Sequence, residues 1–406
     1  MIIRKMTPAE RIEYSGICST AFLYTASADI RAQMKDPQAH IKKDRDDGRE
    51  DRWGAFDNNG KMHSAMIVNH YDMLMNGKAV KMGGIGGVVT LPESRGQGLI
   101  RKIFDAAFPV MLENNQIFSF LYPFSYSYYR MFGYEMCYAY NGVNIPIAEI
   151  KGYPYPKNIK AFEPGDDIAP FAEIYEAFTH DRNLAMVRDK DAWKEMLDRD
   201  PYKELKFTYL NRDDRGQADA YVLYGVQRNS EHGNRLKIKE LCWRTVEGLH
   251  SIFGFFSKLG SEYDSVDWNA PDDVNVHALF PEAYDVKWNK NACGMNRIMD
   301  VTAGLSTLRA PKGIGNGRLT FDITDKYWGD NSGKYIVQWE DGNLTARKTM
   351  SGDVAMATTV QTLAQLVTGY LSPEEVMLKN DTTIYSSRLK LSQLFPKQKL
   401  HMVERF

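Results

Sequence analysis

Residues 83–102 read G-G-I-G-G-V-V-T-L-P-E-S-R-G-Q-G-L-I-R-K, an apolar strand running through a turn at Arg95-Gly96-Gln97-Gly98 into an amphipathic helix. A strand that feeds a helix in this way requires a fold in which helices pack on a sheet. The turn leaves several backbone N–H groups unpaired at the positive end of a helix dipole, a site for an anion of the pyrophosphate type. Its glycines have no side chains to block a close approach.

Several glycine-rich motifs bind phosphate, and their spacings separate them. A P-loop needs Gly, four residues, then Gly-Lys-Ser/Thr, which this chain lacks. A dinucleotide fold needs G-x-G-x-x-G at a strand-to-helix turn. Gly84, Gly86 and Gly87 approximate that spacing but lie inside the strand run. A plain surface turn that caps a helix is the remaining alternative. The arrangement Arg95-x-x-Gly98 after V-V-T-L-P, with Leu99, Ile100, Ile103, Phe104, Ala107 and Met111 on one helical face, resembles the acetyl-CoA loop of the GNAT acetyltransferases.

The resemblance extends to F-S-F-L-Y-P-F-S-Y-S-Y-Y-R-M-F-G-Y-E, which is similar to the GNAT segment where a strand splays from its neighbour and a Tyr faces the thioester. That Tyr is Tyr129. With about four hundred residues and the tail V-E-R-F, the chain resembles the Eis family of N-acetyltransferases, in which the last residue lends its carboxylate to the active site. The resemblance implies acetyl-CoA contacts at Val88, Val89 and Thr90, at Arg95, Gly96, Gln97, Gly98, Leu99, Ile100 and Arg101, and at Phe124 and Ser125. It implies Tyr129 as general acid and Phe406 as general base. Ile100 stands where the general GNAT pattern has Gly or Ala, a departure that bears on helix packing.

Charge and composition narrow the function classes. The 51 basic and 52 acidic side chains balance to a net charge of −1, so there is no global field for nucleic acid or an anionic membrane. Cys18, Cys137, Cys242 and Cys293 lie far apart without a C-x-x-C pair, and read as reduced, mostly core thiols. The N-terminus lacks an apolar h-region and no apolar run approaches a membrane span, so the protein is expected to be cytoplasmic. The eight histidines are isolated and no H-E-x-x-H occurs, so no metal is expected.

With 406 residues the chain can bury more than one core. Its expected class is α/β (α+β): two GNAT-like mixed-sheet domains in tandem, at 1–145 and 146–298, then a sterol carrier protein-like domain at 299–406. An early helix spans about Thr7 to Phe22, and Asn76-Gly77 marks a hairpin. Pro109 should kink or end the loop helix. A Pro-rich stretch from about Asn144 reads as a linker. The second unit repeats the plan, but Arg244-Thr245-Val246-Glu247-Gly248 has no R-x-x-G and Glu247 would repel phosphate, so one acetyl-CoA per chain is expected. In the last hundred residues Val360, Leu363, Leu366, Val367 and Tyr370 share a helical face. That domain is expected to position the C-terminus and build oligomer contacts rather than carry lipid; family resemblance implies a hexamer.

The implied chemistry makes specific demands. A free aliphatic amine, with a pKa of about 10.4, must lose a proton before it attacks a thioester. A terminal carboxylate, with an unperturbed pKa of roughly 3.5, is a weak base unless burial raises it or a water relays the proton. A phenol beside the departing thiolate can supply a proton, and N–H groups near Val88 to Thr90 would polarise the thioester oxygen. Six tyrosines crowd Tyr122 to Tyr138, and an extended backbone there would turn Tyr128 to the face opposite Tyr129. Eis-like enzymes take polyamines, aminoglycosides or lysine side chains, and Glu50, Asp51, Asp72, Glu135 and Glu404 are the candidate acidic lining. The alternative function is a non-catalytic CoA-sensing or lipid-binding scaffold on the same fold.

Overall fold

Asn76 and Gly77 both take left-handed backbone angles, φ +51° and +77°. They form the two-residue turn between β3 (Met62–Met75) and β4 (Lys78–Thr90), whose ends pair Met75 with Lys78. Such a turn matches the twist of the strands that it joins. The structure, a computed structural model, describes residues 1–22, 30–36, 48–230, 233–280, 282–386 and 388–406. His40 and His232 lie outside them.

The hairpin belongs to a sheet of twelve strands. β1 (Ile2–Lys5) and β2 (Glu50–Phe56) extend the antiparallel meander, and β4 pairs in parallel with β5 (Phe118–Leu121). The chain continues through β6 (Glu135–Pro146), β7 (Asn158–Ala161), β8 (Arg182–Asn183), β9 (Lys206–Arg212), β10 (Ala218–Ser230), β11 (Gly233–Trp243), β12 (Ser265–Pro271) and β13 (Lys287–Ile298). The sheet order is β1-β2-β3-β4-β5-β13-β6-β12-β11-β10-β9-β7. β13 thus returns from the second unit to lie between β5 and β6, pairing Leu121 with Met295 and Val143 with Trp288. The supposed linker begins inside β6, since Asn144–Pro146 pair with residues 265–267 of β12.

The early helix is α1 (Glu10–Ala21), and the loop helix is α2 (Leu99–Glu113). Every residue placed on the apolar face of α2 is buried, together with Phe108. Pro109 does not end α2, which runs on to Glu113. A proline inside a helix costs on the order of 3 kcal/mol, and burial of Phe104, Ala107, Phe108 and Met111 offsets that cost. The tyrosine segment is helical, not extended: α3 (Tyr126–Arg130) starts at Ser125, whose hydroxyl accepts the Tyr128 N–H at 3.4 Å.

The last unit has its own sheet, β14 (Gly317–Thr324), β15 (Gly333–Glu340), β16 (Asn343–Thr349), β17 (Val354–Thr359) and β18 (Thr383–Ile384), in the order β16-β15-β14-β17-β18. Its core is continuous with the first unit, because Leu363, Leu366 and Val367 belong to the same cluster as Met73, Met82, Phe118 and Phe120. The chain then returns toward the first two units. β19 (Lys399–Leu400) pairs in parallel with β8, the His401 N–H donates to the Asn183 carbonyl at 3.0 Å, and Leu400, His401 and Met402 are buried.

Candidate active site

Two strands that begin as neighbours and then part create the site. β4 and β5 pair from Met82–Phe118 to Ile85–Leu121, and Gly86–Thr90 continue with no strand of the described residues on that edge. Against β3 the register slips between Gly86 and Val89, a bulge in which Gly87 takes φ +55°. A bulge bends the strand and leaves part of its ladder unpaired. The amides expected to face a thioester therefore lie on an open edge. The side chains of Val88, Val89 and Thr90 are engaged elsewhere. Val89 packs in the cluster beside α1, Val88 packs against the α2 cluster, and the Thr90 hydroxyl lies 2.8 Å from that of Ser64.

The loop after β4 presents its backbone. Gly96 and Gly98 have φ of +77° and +69°, and a Cβ on either would meet nothing within 4 Å. The first bond of α2 is the Lys102 N–H to the Gly98 carbonyl at 3.2 Å, so the N–H groups of Gly98, Leu99, Ile100 and Arg101 have no acceptor among the described residues. The Arg95 N–H, by contrast, is taken by the Pro92 carbonyl at 3.3 Å. Leu99 and Ile100 side chains are core, leaving their main chain to meet a ligand. The Arg95 side chain is exposed, whereas the Arg101 guanidinium lies 5.4 Å from both the Phe132 and Tyr327 ring centres. This cradle of open glycines and free amides fits a diphosphate.

Phe406 lies in the first unit, against β4. A Cβ on Gly84 would stand 2.9 Å from the Phe406 ring, and one on Gly86 would stand 2.6 Å from its carboxyl carbon. The ring packs on Tyr71, Tyr122 and Phe120 at centroid distances of 5.4, 5.6 and 6.3 Å. The G-G-I-G-G run inside β4 thus has a packing reason: glycine within a strand often marks a close approach by another backbone. The Tyr122 hydroxyl donates to the Glu404 carbonyl at 2.7 Å and helps fix the tail.

Tyr129 is buried, with its ring 5.4 Å from Phe124, 5.3 Å from Tyr128 and 6.3 Å from Tyr134. Its hydroxyl has no hydrogen-bond partner among the described residues. Burial, chiefly, pushes its pKa well above the usual phenol value and keeps it protonated. Phe124 is 73% exposed, while the Ser125 hydroxyl is occupied in capping α3.

The acidic candidates all have cationic partners. Glu50 meets Arg52 at 2.7 Å, Asp51 meets Lys5 at 2.6 Å, Asp72 meets Lys81 at 3.9 Å, Glu135 meets Arg130 at 2.8 Å and Glu404 meets Arg188 at 2.7 Å. Arg188, which the sequence did not single out, also meets Glu240 of β11 at 2.6 Å, and its guanidinium lies 4.0 Å from the Tyr175 ring centre. Tyr221 donates to the same Glu240. Both ring nitrogens of the buried His401 lack hydrogen-bond partners among the described residues, and burial depresses its pKa to about 3.

The second unit repeats this local plan with different contents. β11 and β12 pair only from Arg235–Ser265 to Lys237–Asp267, and β11 slips register against β10 at Lys239. Glu240 follows at once, and its ion pair with Arg188 occupies the neighbourhood of that split. The following helix, α4 (Val246–Ser257), is capped by Thr245, whose hydroxyl accepts the Gly248 N–H at 3.1 Å and donates to Asp219 at 2.8 Å. A Cβ on Gly248 would stand 2.7 Å from the Asp219 carboxylate. A carboxylate of the chain itself therefore sits at this helix N-terminus.

Three family models match stretches of the chain. A model of the acetyltransferase (GNAT) domain matches residues 2–137, a second acetyltransferase (GNAT) domain model matches residues 184–298, and a sterol carrier protein domain model matches residues 301–403. A conserved protein of unknown function from Enterococcus faecalis, described as a probable N-acyltransferase, superposes with a TM-score of 0.83 at 21% identity, covering 98% of each chain. A GCN5-related N-acetyltransferase from Anabaena variabilis superposes at 0.83 with 19% identity, covering 100% of each chain. Eis1 from Mycobacterium abscessus superposes at 0.76 with 15% identity, again covering 100% of each chain. No curated protein matches. Fold and domain content define a GNAT-type acetyltransferase. A sterol carrier protein domain follows the two GNAT units, and the whole chain shares the fold of Eis1.

Among the described residues, no group of three or more His, Cys, Asp or Glu could hold a metal ion. No helix among the described residues is long and apolar enough to cross a membrane. The four cysteines are free thiols, three of them buried.

Proposed function

We propose that this chain moves an acetyl group from acetyl-CoA to a primary amine by direct attack. The lysine-like, polyamine and aminoglycoside amines implied by the family resemblance are the acceptor classes. Gly96 to Arg101 hold the diphosphate through main-chain N–H groups, and the bare edge of β4 from Gly86 to Thr90 receives the pantetheine arm and polarises the thioester oxygen. The Phe406 α-carboxylate accepts the amine proton, directly or through one water, as nitrogen bonds to the acetyl carbon. Tyr129 gives its phenolic proton to the sulfur as the C–S bond breaks. Solvent then restores that proton. The observation that carries this reading is the terminal carboxyl seated on Gly86, beside the unpaired strand edge.

The test follows thiol release from acetyl-CoA over an amine panel, with DTNB as reporter. Deleting Phe406, or extending the chain beyond it, should lower kcat about a hundredfold or more, with the KM for acetyl-CoA nearly unchanged. Tyr129→Phe should lower kcat to a similar degree. Thiol release that never depends on an added amine would defeat the proposal, and full turnover by the Phe406 deletion would remove the carboxylate from it.

A further inference from the structure

The surroundings of Phe406 are electrostatically two-sided. On the Tyr71 side stand acids: burial first, and then Glu404, Glu50 and Glu195, raise the Tyr71 pKa to about 12. On the Tyr122 side stands a cation. Arg405 places its guanidinium 4.2 Å from the Tyr122 ring centre and its Nη1 3.7 Å from the Cys293 sulfur. The residue is exposed, and no carboxylate among the described residues lies within ion-pair distance of it. Tyr122 touches the Phe406 ring as well, so this guanidinium and the terminal residue share one aromatic support. The adjoining part of the second unit is also basic. Lys239, at the bulge of β11, has its pKa lowered by burial and then by Lys237, Lys206 and Arg405. Lys206 is paired with Glu204 at 2.8 Å, so Arg405, Lys237 and Lys239 are the charges that remain.

We infer that Arg405 is a specificity-determining residue, and that the preferred acceptor is a small primary amine that also carries a carboxylate. The inference rests on the reading of Phe406 as the base. An acceptor amine brought to the Phe406 carboxylate meets the ion-paired acids Glu50 and Glu404 toward Tyr71 and a fork of N–H donors toward Tyr122. A guanidinium binds a carboxylate through two parallel N–H bonds, which gives direction as well as strength. A polycation would place its second charge against Arg405. The paired state of Glu50, Asp51, Asp72, Glu135 and Glu404 points the same way, since those carboxylates already hold the chain's own cations.

The test compares matched amines that differ by one carboxylate: tyrosine against tyramine, and lysine against cadaverine. In the unaltered chain, kcat/KM should be about tenfold higher for the carboxylate-bearing member of each pair. Arg405→Gln should remove most of that preference and Arg405→Lys should keep part of it. A general loss of folding or of tail placement lowers both members alike, so the ratio reports the charge alone. A preference for tyramine and cadaverine in the unaltered chain overturns the inference. So does a ratio that Arg405→Gln leaves intact, and in either case the acetyltransferase reading still stands. Thiol release with other amines of the panel but with none of these four also overturns the inference, whereas thiol release that depends on no amine at all, or turnover that survives deletion of Phe406, fails the underlying reading instead.

Discussion

The two GNAT units share a plan, and they differ in what fills it. In the first, β4 parts from β5 and leaves a bare edge, and α2 begins with amides that no group among the described residues takes. In the second, β11 parts from β12 at the same kind of bulge, but the buried Arg188–Glu240 pair lies there and Thr245 with Asp219 closes the start of α4. The second unit has turned the same geometry into a grip on the tail, through Arg188 to Glu404, β8 to β19, and the pocket of His401. A duplicated fold can thus separate binding from positioning by supplying its own carboxylates where the other copy leaves room for a ligand.

The sharpest way to break this contrast is to give the first loop the charge that plugs the second. Gly98→Asp puts a carboxylate among the free amides of α2, and acetyl-CoA affinity measured by calorimetry should fall about a hundredfold or more, because the anion site is both occupied and repelled. Unchanged affinity would mean that the coenzyme does not use those amides. Next in size is the grip. Arg188→Met strands the buried Glu240, so urea unfolding should show a loss of about 3–5 kcal/mol. As the tail loosens, kcat should fall further than acetyl-CoA affinity.

Acid should loosen the tail more gently. His401 has a folded pKa depressed below its unfolded value, so its contribution is complete above about 6.5 and is lost as pH falls from there toward about 3. Over that window the unaltered chain should lose on the order of a few kcal/mol relative to His401→Phe, compared by urea titration at each pH. The smallest effect is expected at the closed helix. Thr245→Ala should cost about 1 kcal/mol of stability through the lost cap, while coenzyme stoichiometry stays at one per chain. A second equivalent bound after that change would erase the proposed difference between the units.

Much of the first unit was legible in the sequence because its signals are local. Asn76-Gly77 requires a particular turn, the spacing of Leu99 to Met111 requires a buried helical face, and Arg95 to Gly98 matches a known loop. What escaped was long-range. Nothing near Arg188 says that it will be buried, since its partners lie 52 and 216 residues away. The glycines at 84 and 86 did carry a signal, but it names an approaching backbone without saying which one, and the answer lay at the far end of the chain. Proline and tyrosine were weighed by local propensity at 109 and 126–130, where tertiary packing and the Ser125 cap decided the outcome.

The strand exchange at β13 has a consequence for how the molecule can be made and cut. A fragment ending at residue 145 would lack the strand that joins β5 to β6, exposing the free hydrogen-bonding edge of β5 and leaving β6 without either of its neighbours. On the ribosome the nascent first unit passes through that state until residues 287–298 emerge, and it is then that a chaperone would find most to hold.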